Sequence, residues 1–168
     1  AIREGNYDYW SAHRHWRASN YTYYWYNTNT KTNGGANGAT GNSFIDTQYP
    51  ISMLCAAPDE TLTSYNTQFR YCNTDNYLNQ LNTTSVSGFK DWRLPTISEL
   101  QSIHNFAVDA ADSLNTYFPN QPTGQLLSST PVADAEGAVW CLDTETGQAK
   151  FCNKNIPYHI RAVRGGAQ

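Results

Sequence analysis

The chain has 168 residues, a length suited to a single domain over residues 1–168 with a core of its own. Hydrophobic residues make up 39%, charged residues 15% and aromatics 14%, with a formal net charge of -3. That balance excludes the charge-rich, aromatic-poor make-up of disordered chains and the basic patches that drive nucleic-acid binding.

Asn, Thr, Ser, Gln and Tyr take the place of the missing charges. The predicted surface is therefore neutral and hydrogen-bonding, suited to sugar or protein contacts. No apolar run is long enough to span a bilayer, so membrane insertion is not expected. The chain opens Ala1-Ile2-Arg3 without Met, which reads either as loss of a leader or as a piece of a longer protein.

In chain order, the first segment is dense in aromatics, and Tyr21-Thr22-Tyr23-Tyr24-Trp25-Tyr26 has strong strand propensity. Residues 32–43 are rich in Gly and Asn and predict a long ordered loop that needs positive φ at several points. Thr74 is placed to cap a helix over residues 75–81, with Tyr77, Leu78 and Leu81 on one face. Thr96-Ile97-Ser98-Glu99 reads as a capping box, followed by Ile97, Leu100, Ile103 and Ala107 at helical spacing. Residues 138–142 and 148–152 flank a polar turn with Gly147 and predict a hairpin. A last strand over residues 158–164 is expected to alternate, with Tyr158, Ile160, Ala162 and Arg164 on one side and His159, Arg161 and Val163 on the other. The whole is an α+β pattern.

Four cysteines, Cys55, Cys72, Cys141 and Cys152, accompany few charges and favour disulfides in an oxidising compartment over buried free thiols. Of the three connectivities, the two local ones are expected: Cys55–Cys72 and Cys141–Cys152, the latter joining adjacent strands of the hairpin. No CxxC pair argues for a zinc ribbon. His13 and His15 have the spacing of two ligands on a strand face, but no third ligand lies near in sequence, so no metal site is assigned. The sequence carries no GxSxG, HExxH or phosphate loop, and no catalytic residue is assigned.

At Asp91-Trp92-Arg93-Leu94-Pro95-Thr96 with Glu99-Leu100, the chain resembles the C-terminal domain family of collagen-like bacterial surface adhesins, the Lcl family. Tyr23-Tyr24-Trp25-Tyr26-Asn27, Thr32-Asn33-Gly34-Gly35, Cys72-Asn73-Thr74-Asp75, Tyr117-Phe118-Pro119-Asn120, Ser128-Ser129-Thr130-Pro131 and Arg161-Ala162-Val163-Arg164-Gly165-Gly166 resemble further family segments in the same order. The chain departs from the pattern at Leu126-Leu127, where an aromatic pair is usual. It departs again at Ala162, where many members have Cys, and at Val86-Ser87-Gly88, where a cysteine is often found. The resemblance implies a C-type-lectin-like fold with small antiparallel sheets, two helices and long loops. It also implies a secreted or surface-anchored role, with glycan or glycosaminoglycan binding among adhesin members.

Trp92 and Arg93 read as a core ring and a buried fork, with Asp91 as the expected partner of Arg93. Arg161 and Arg164 are expected to pair with Asp or Glu. His104 is placed in a helix, partly buried. Gln121-Pro122-Thr123 lacks the acidic member of a calcium-and-sugar motif, and no Trp-Asn-Asp occurs. Calcium-bridged sugar binding is therefore not expected and no cofactor is assigned, although a loop could hold a structural calcium. The leading functional reading is an adhesion or ligand-binding module, not an enzyme, that recognises glycans or surface partners. Contacts are expected from Tyr21, Tyr23, Tyr24, Tyr26, Asn33, Asn37 and Asn42. The alternatives are a structural subunit of a surface fibre or homo-oligomer and, third, an enzyme akin to formylglycine-generating proteins. The last would need reactive cysteines where a cross-strand staple is expected.

Overall fold

The structure, a computed structural model, describes residues 22–34, 40–41, 72–104 and 123–165. Two short strands come first: β1 (Tyr23–Tyr24) pairs in parallel with β2 (Cys72–Asn73). Helix α1 (Thr74–Thr83) follows directly, then a 3-10 turn (Val86–Gly88), β3 (Trp92–Arg93) and α2 (Ile97–Ser102). The C-terminal part holds β4 (Gln125–Pro131), β5 (Ala138–Asp143), β6 (Ala149–Asn153) and β7 (Val163–Arg164). β4-β5-β6 form an antiparallel sheet, and β3 pairs antiparallel with β7. The described architecture is thus α+β, with two small antiparallel sheets and two helices. The aromatic segment forms a shorter strand than its propensity predicts. Among the described residues beyond β1, an isolated bridge from Tyr26 to Gly41 continues it.

Each helix starts on a side-chain cap. α1 is capped by Asn73, whose side chain accepts from the Asn76 amide at 2.9 Å, so the cap lies one residue before the expected Thr74. Thr74 is engaged elsewhere: its hydroxyl accepts from the Tyr26 amide and donates to the Tyr26 carbonyl, stitching the helix start to the aromatic segment. Tyr77 and Leu81 are buried as their spacing predicts, with Leu78 packed beside them. α2 has the full capping box: the Thr96 hydroxyl accepts from the Glu99 amide, and the Glu99 carboxylate accepts from the Thr96 amide. The helix ends at Ser102, so His104 lies just beyond it, buried.

The β4-β5-β6 sheet packs one face on the main core and is covered on the other at one end only. Leu127, Val139, Cys141 and Cys152 face the main core with Trp25, Tyr77, Leu81 and Trp92. On the other face Leu126 and Leu142 pack under Leu100 of α2. Cys141 and Cys152 are bridged, with Cα atoms 5.9 Å apart. They sit diagonally rather than level, because Cys141 is opposite Lys150 and Cys152 opposite Val139. Cys55, and with it the expected Cys55–Cys72 pairing, lies outside the described residues, as do His13 and His15.

Residues 158–164 do not form the continuous alternating strand that was expected. Tyr158 bridges to Tyr23, His159 to Leu126, and only Val163–Arg164 pair with β3. The segment changes partners every few residues, so Ile160, Arg161 and Ala162 are buried in succession.

Arg93 is correctly read as a fork, but it grips Glu99 and not Asp91. Its two terminal nitrogens donate to the two Glu99 oxygens at 2.8 and 2.7 Å, and its Nε donates to the Gly165 carbonyl. Asp91 instead accepts from the Gly165 amide and lies 3.9 Å from Arg164. Glu99 therefore serves the helix cap and the Arg93 fork together. The Arg93 hydrogen bonds outweigh the opposing cost of burial and, with the Thr96 donors, hold its carboxyl at about 2.

Two outcomes follow. Replacing Thr96 with Ala should cost about 1 kcal/mol in thermal or denaturant melts, because it strands an amide at the start of a short helix. Acid should also weaken the fold. Glu99 titrates lower folded than unfolded, so its contribution is present above the unfolded value of about 4.3 and is lost as pH falls toward 2. Melts between pH 5 and pH 2 should show this loss, reduced in Glu99→Gln.

Candidate functional site

Surface residues that can meet a ligand gather around the β5–β6 hairpin and its neighbouring loops. The cross-strand disulfide sets which side chains point outward. Cys141 and Cys152 face the core, and side chains alternate along a strand. Trp140 and Phe151, each next to a bridged cysteine, must therefore project from the opposite face. They stand directly opposite each other, with ring centroids 4.5 Å apart and planes tilted by 57°. Phe151 is 67% exposed and Trp140 half-buried, on the same face that α2 covers only farther along, at Leu142. A second exposed ring, Phe89, carries the Arg164 guanidinium 3.3 Å from its centroid.

At the β4–β5 end of the sheet lies a cleft of about 340 Å³ between the turn that follows β1 and the β4–β5 connection. It is lined by Asn33, Gly34, Pro131, Val132, Asp134, Ala135, Glu136 and Lys154. The turn is built from Asn27 and Asn29, whose side-chain oxygens accept from the amides of Asn29 and Lys31. Asp134 holds a left-handed φ of 60° in the β4–β5 connection, a conformation that Asp tolerates better than most side chains.

Lys154 lies at the cleft, almost wholly buried at 1% exposure. Its ammonium donates to the carbonyls of Asn33 at 3.1 Å and Glu136 at 2.8 Å, and sits 4.4 Å from the centroid of the Trp25 ring. Burial pushes its pKa down, and the nearby Glu136 charge offsets part of that shift. Asn33 is equally buried. Its Nδ2 donates to the Asn27 carbonyl, whereas its Oδ1 has no hydrogen-bond partner. A buried acceptor left in this way costs roughly 1–3 kcal/mol, and a ligand that supplies a donor can recover it.

Asp143, at the far turn of the hairpin, is also buried. Burial alone would raise its pKa, but the Lys150 ammonium and the donors of Thr146 and Glu145 outweigh that and hold the carboxyl at about 2. This network folds the turn and engages both carboxylate oxygens. Among the described residues, no group of three or more His, Cys, Asp and Glu is placed to hold a metal ion.

The sequence-predicted contacts are divided by the fold. Tyr23 is a core residue, its ring 4.9 Å from that of Tyr77, and Asn33 is buried beneath the cleft surface. The Tyr23 side chain is therefore taken up by the interior, whereas Asn33 lines the cleft from beneath with its Oδ1 unpartnered. Tyr24 and Tyr26 are half-buried, while Tyr21, Asn37 and Asn42 lie outside the described residues. Of the loop over residues 32–43, Gly34 and Gly41 take the expected positive φ. At Gly41 any Cβ would collide with the Trp25 carbonyl oxygen. Trp140, Phe151 and Lys154 were missed as site residues. The first two were within reach, because pairing Cys141 with Cys152 already implies that their neighbours face outward.

These features define a small disulfide-stapled α+β domain that sets its exposed aromatics on a rigid hairpin. The chain belongs to the Lcl C-terminal domain family, whose model matches residues 52–164. No curated protein and no solved structure gives a significant match. The family suggests a bacterial surface-associated domain, and the family and the Cys141–Cys152 bridge are both compatible with an extracellular location. No helix among the described residues is long and apolar enough to cross a membrane.

The buried ammonium makes a stability prediction. Lys154→Met keeps much of the side-chain volume but leaves the Asn33 and Glu136 carbonyls without their donor. It should cost about 1.5–3 kcal/mol in chemical denaturation. A variant as stable as the parent would show that the ammonium contributes nothing net.

Proposed function

We propose that the chain is a secreted or surface-held adhesion module with a C-type-lectin-like frame, which binds glycans or surface partners and catalyses no reaction. The observation that carries this reading is the Trp140–Phe151 pair. An exposed Phe151 and a half-buried Trp140 stand ring against ring on a strand pair that is fixed by a disulfide beneath them. Rigid aromatic faces lose little entropy on binding and stack well against the apolar faces of sugar rings. The sparse charge of the chain supports a ligand recognised by stacking and hydrogen bonds. So does its wealth of Asn, Thr and Tyr.

The same exposed ring also favours a second reading, in which Phe151 packs against another copy in a surface fibre or oligomer. Two measurements separate the readings. A glycan array on the purified chain should give hits that Phe151→Ala and Trp140→Ala each weaken about tenfold, with melting curves unchanged. Light scattering should then show a monomer. A concentration-dependent assembly that Phe151→Ala dissolves, with no glycan bound, favours the fibre reading and overturns the first.

A further inference from the structure

We propose that the cleft between the turn after β1 and the β4–β5 connection takes a cationic, hydroxyl-bearing sugar residue: a hexosamine with a free amine, as in a partly deacetylated glycan. The proposal rests on the ligand-binding reading above, at a surface distinct from the Trp140–Phe151 pair. The cleft, at about 340 Å³, lies at the small end of ligand sites and has room for one pyranose ring.

The lining side-chain polar atoms that make no hydrogen bond there are all acceptors. Asp134 and Glu136 are exposed, and neither carboxylate forms a salt bridge or hydrogen bond among the described residues. Asn33, 1% exposed, lines the same cleft with its Oδ1 unpartnered. The cation present, Lys154, is buried under the Trp25 ring and donates to the carbonyls of Asn33 and Glu136. A sulfated or uronic sugar would thus bring negative charge up to two exposed carboxylates, with the ammonium buried and already engaged. A free amine answers the carboxylates, and a neighbouring hydroxyl supplies the donor that the Asn33 oxygen lacks. An N-acetylated ring offers hydroxyls but no charge, so it should bind more weakly.

The test compares a glucosamine trimer, an N-acetylglucosamine trimer and a uronic-acid trisaccharide by calorimetry and by amide NMR shifts. The chains compared are the parent, Asp134→Asn/Glu136→Gln and Phe151→Ala. Both acidic positions are exposed and the double variant is isosteric. Glu136 also supports the buried Lys154 ammonium, so amide spectra and melts of the double variant must match the parent before binding is compared. The expected result is binding of the glucosamine trimer with shifts at Gly34, Asp134 and Glu136. That binding should weaken at least tenfold in the double variant and on adding salt. The uronic sugar should leave those amides unmoved. If the glucosamine trimer binds equally to the double variant, or the uronic sugar binds as well, the cleft proposal falls. Glycan binding that is lost in Phe151→Ala but indifferent to the double variant and to the amine also overturns it, while the adhesion reading stands. No binding of any glycan removes both.

Discussion

Lys154 carries its ammonium into the interior, where Nζ donates to carbonyls 121 and 18 residues away along the chain. Burying a charge costs several kcal/mol unless its protons are met by acceptors, so the loops that supply those acceptors are tied to a single arrangement. The Asn33 carbonyl comes from the turn after β1, and the Glu136 carbonyl from the β4–β5 connection. Trp25 closes the third side, with its ring against the ammonium and its Nε1 donating to the Ser128 carbonyl at 3.0 Å. One cation thus joins the N-terminal aromatic segment to the C-terminal sheet. The cleft exists because the segments it joins meet there.

What was legible in the sequence was mostly local. The α2 capping box depends on Thr96 and Glu99, three residues apart, and the hairpin on a turn between two apolar runs. The misread features depend on partners distant in sequence. Thr74 cannot cap α1 because Tyr26, 48 residues earlier, claims its hydroxyl. Residues 158–164 lose their alternation because β1, β4 and β3 each take part of them. Arg93 had a carboxylate two residues back and another six ahead. It takes Glu99, which the first turn of α2 presents to both its nitrogens, and Asp91 turns to Gly165. The site was less legible than the fold. Aromatic density marked residues 21–26, but density does not tell a core ring from an exposed one. Tyr23 and Trp25 went inside, while Trp140 and Phe151 carry the exposed face.

The disulfide explains why those two rings can stay exposed. An aromatic pair on a free hairpin would be drawn toward the core, and a slip of one residue in strand register would move it there. The bridge forbids that slip, since Cys141 and Cys152 must keep to the core face for their sulfurs to meet. With n near the loop length closed here, such a bridge contributes about 3 kcal/mol, mainly by restricting the unfolded chain. α2 shields the rest of that face through Leu100, leaving the Trp140–Phe151 end open.

The segment that made the family recognisable is consumed by structure. Asp91 accepts from the Gly165 amide, Trp92 is core with its Nε1 donating to the Val86 carbonyl, and Arg93 locks Glu99 to the Gly165 carbonyl. Asn82 satisfies the backbone of Trp92 from the side that β7 leaves open, accepting from its amide and donating to its carbonyl. Pro95 presents its carbonyl to Ser129, and Thr130 caps the amide of Ile97, so the motif also fastens α2 to the bulge in β4. Each polar side chain in this stretch thus has a partner within the fold. Little is left over to meet a ligand. The ligand binding proposed above therefore falls to residues outside the motif. Phe151 on the hairpin and the exposed carboxylates of Asp134 and Glu136 in the β4–β5 connection lie outside it.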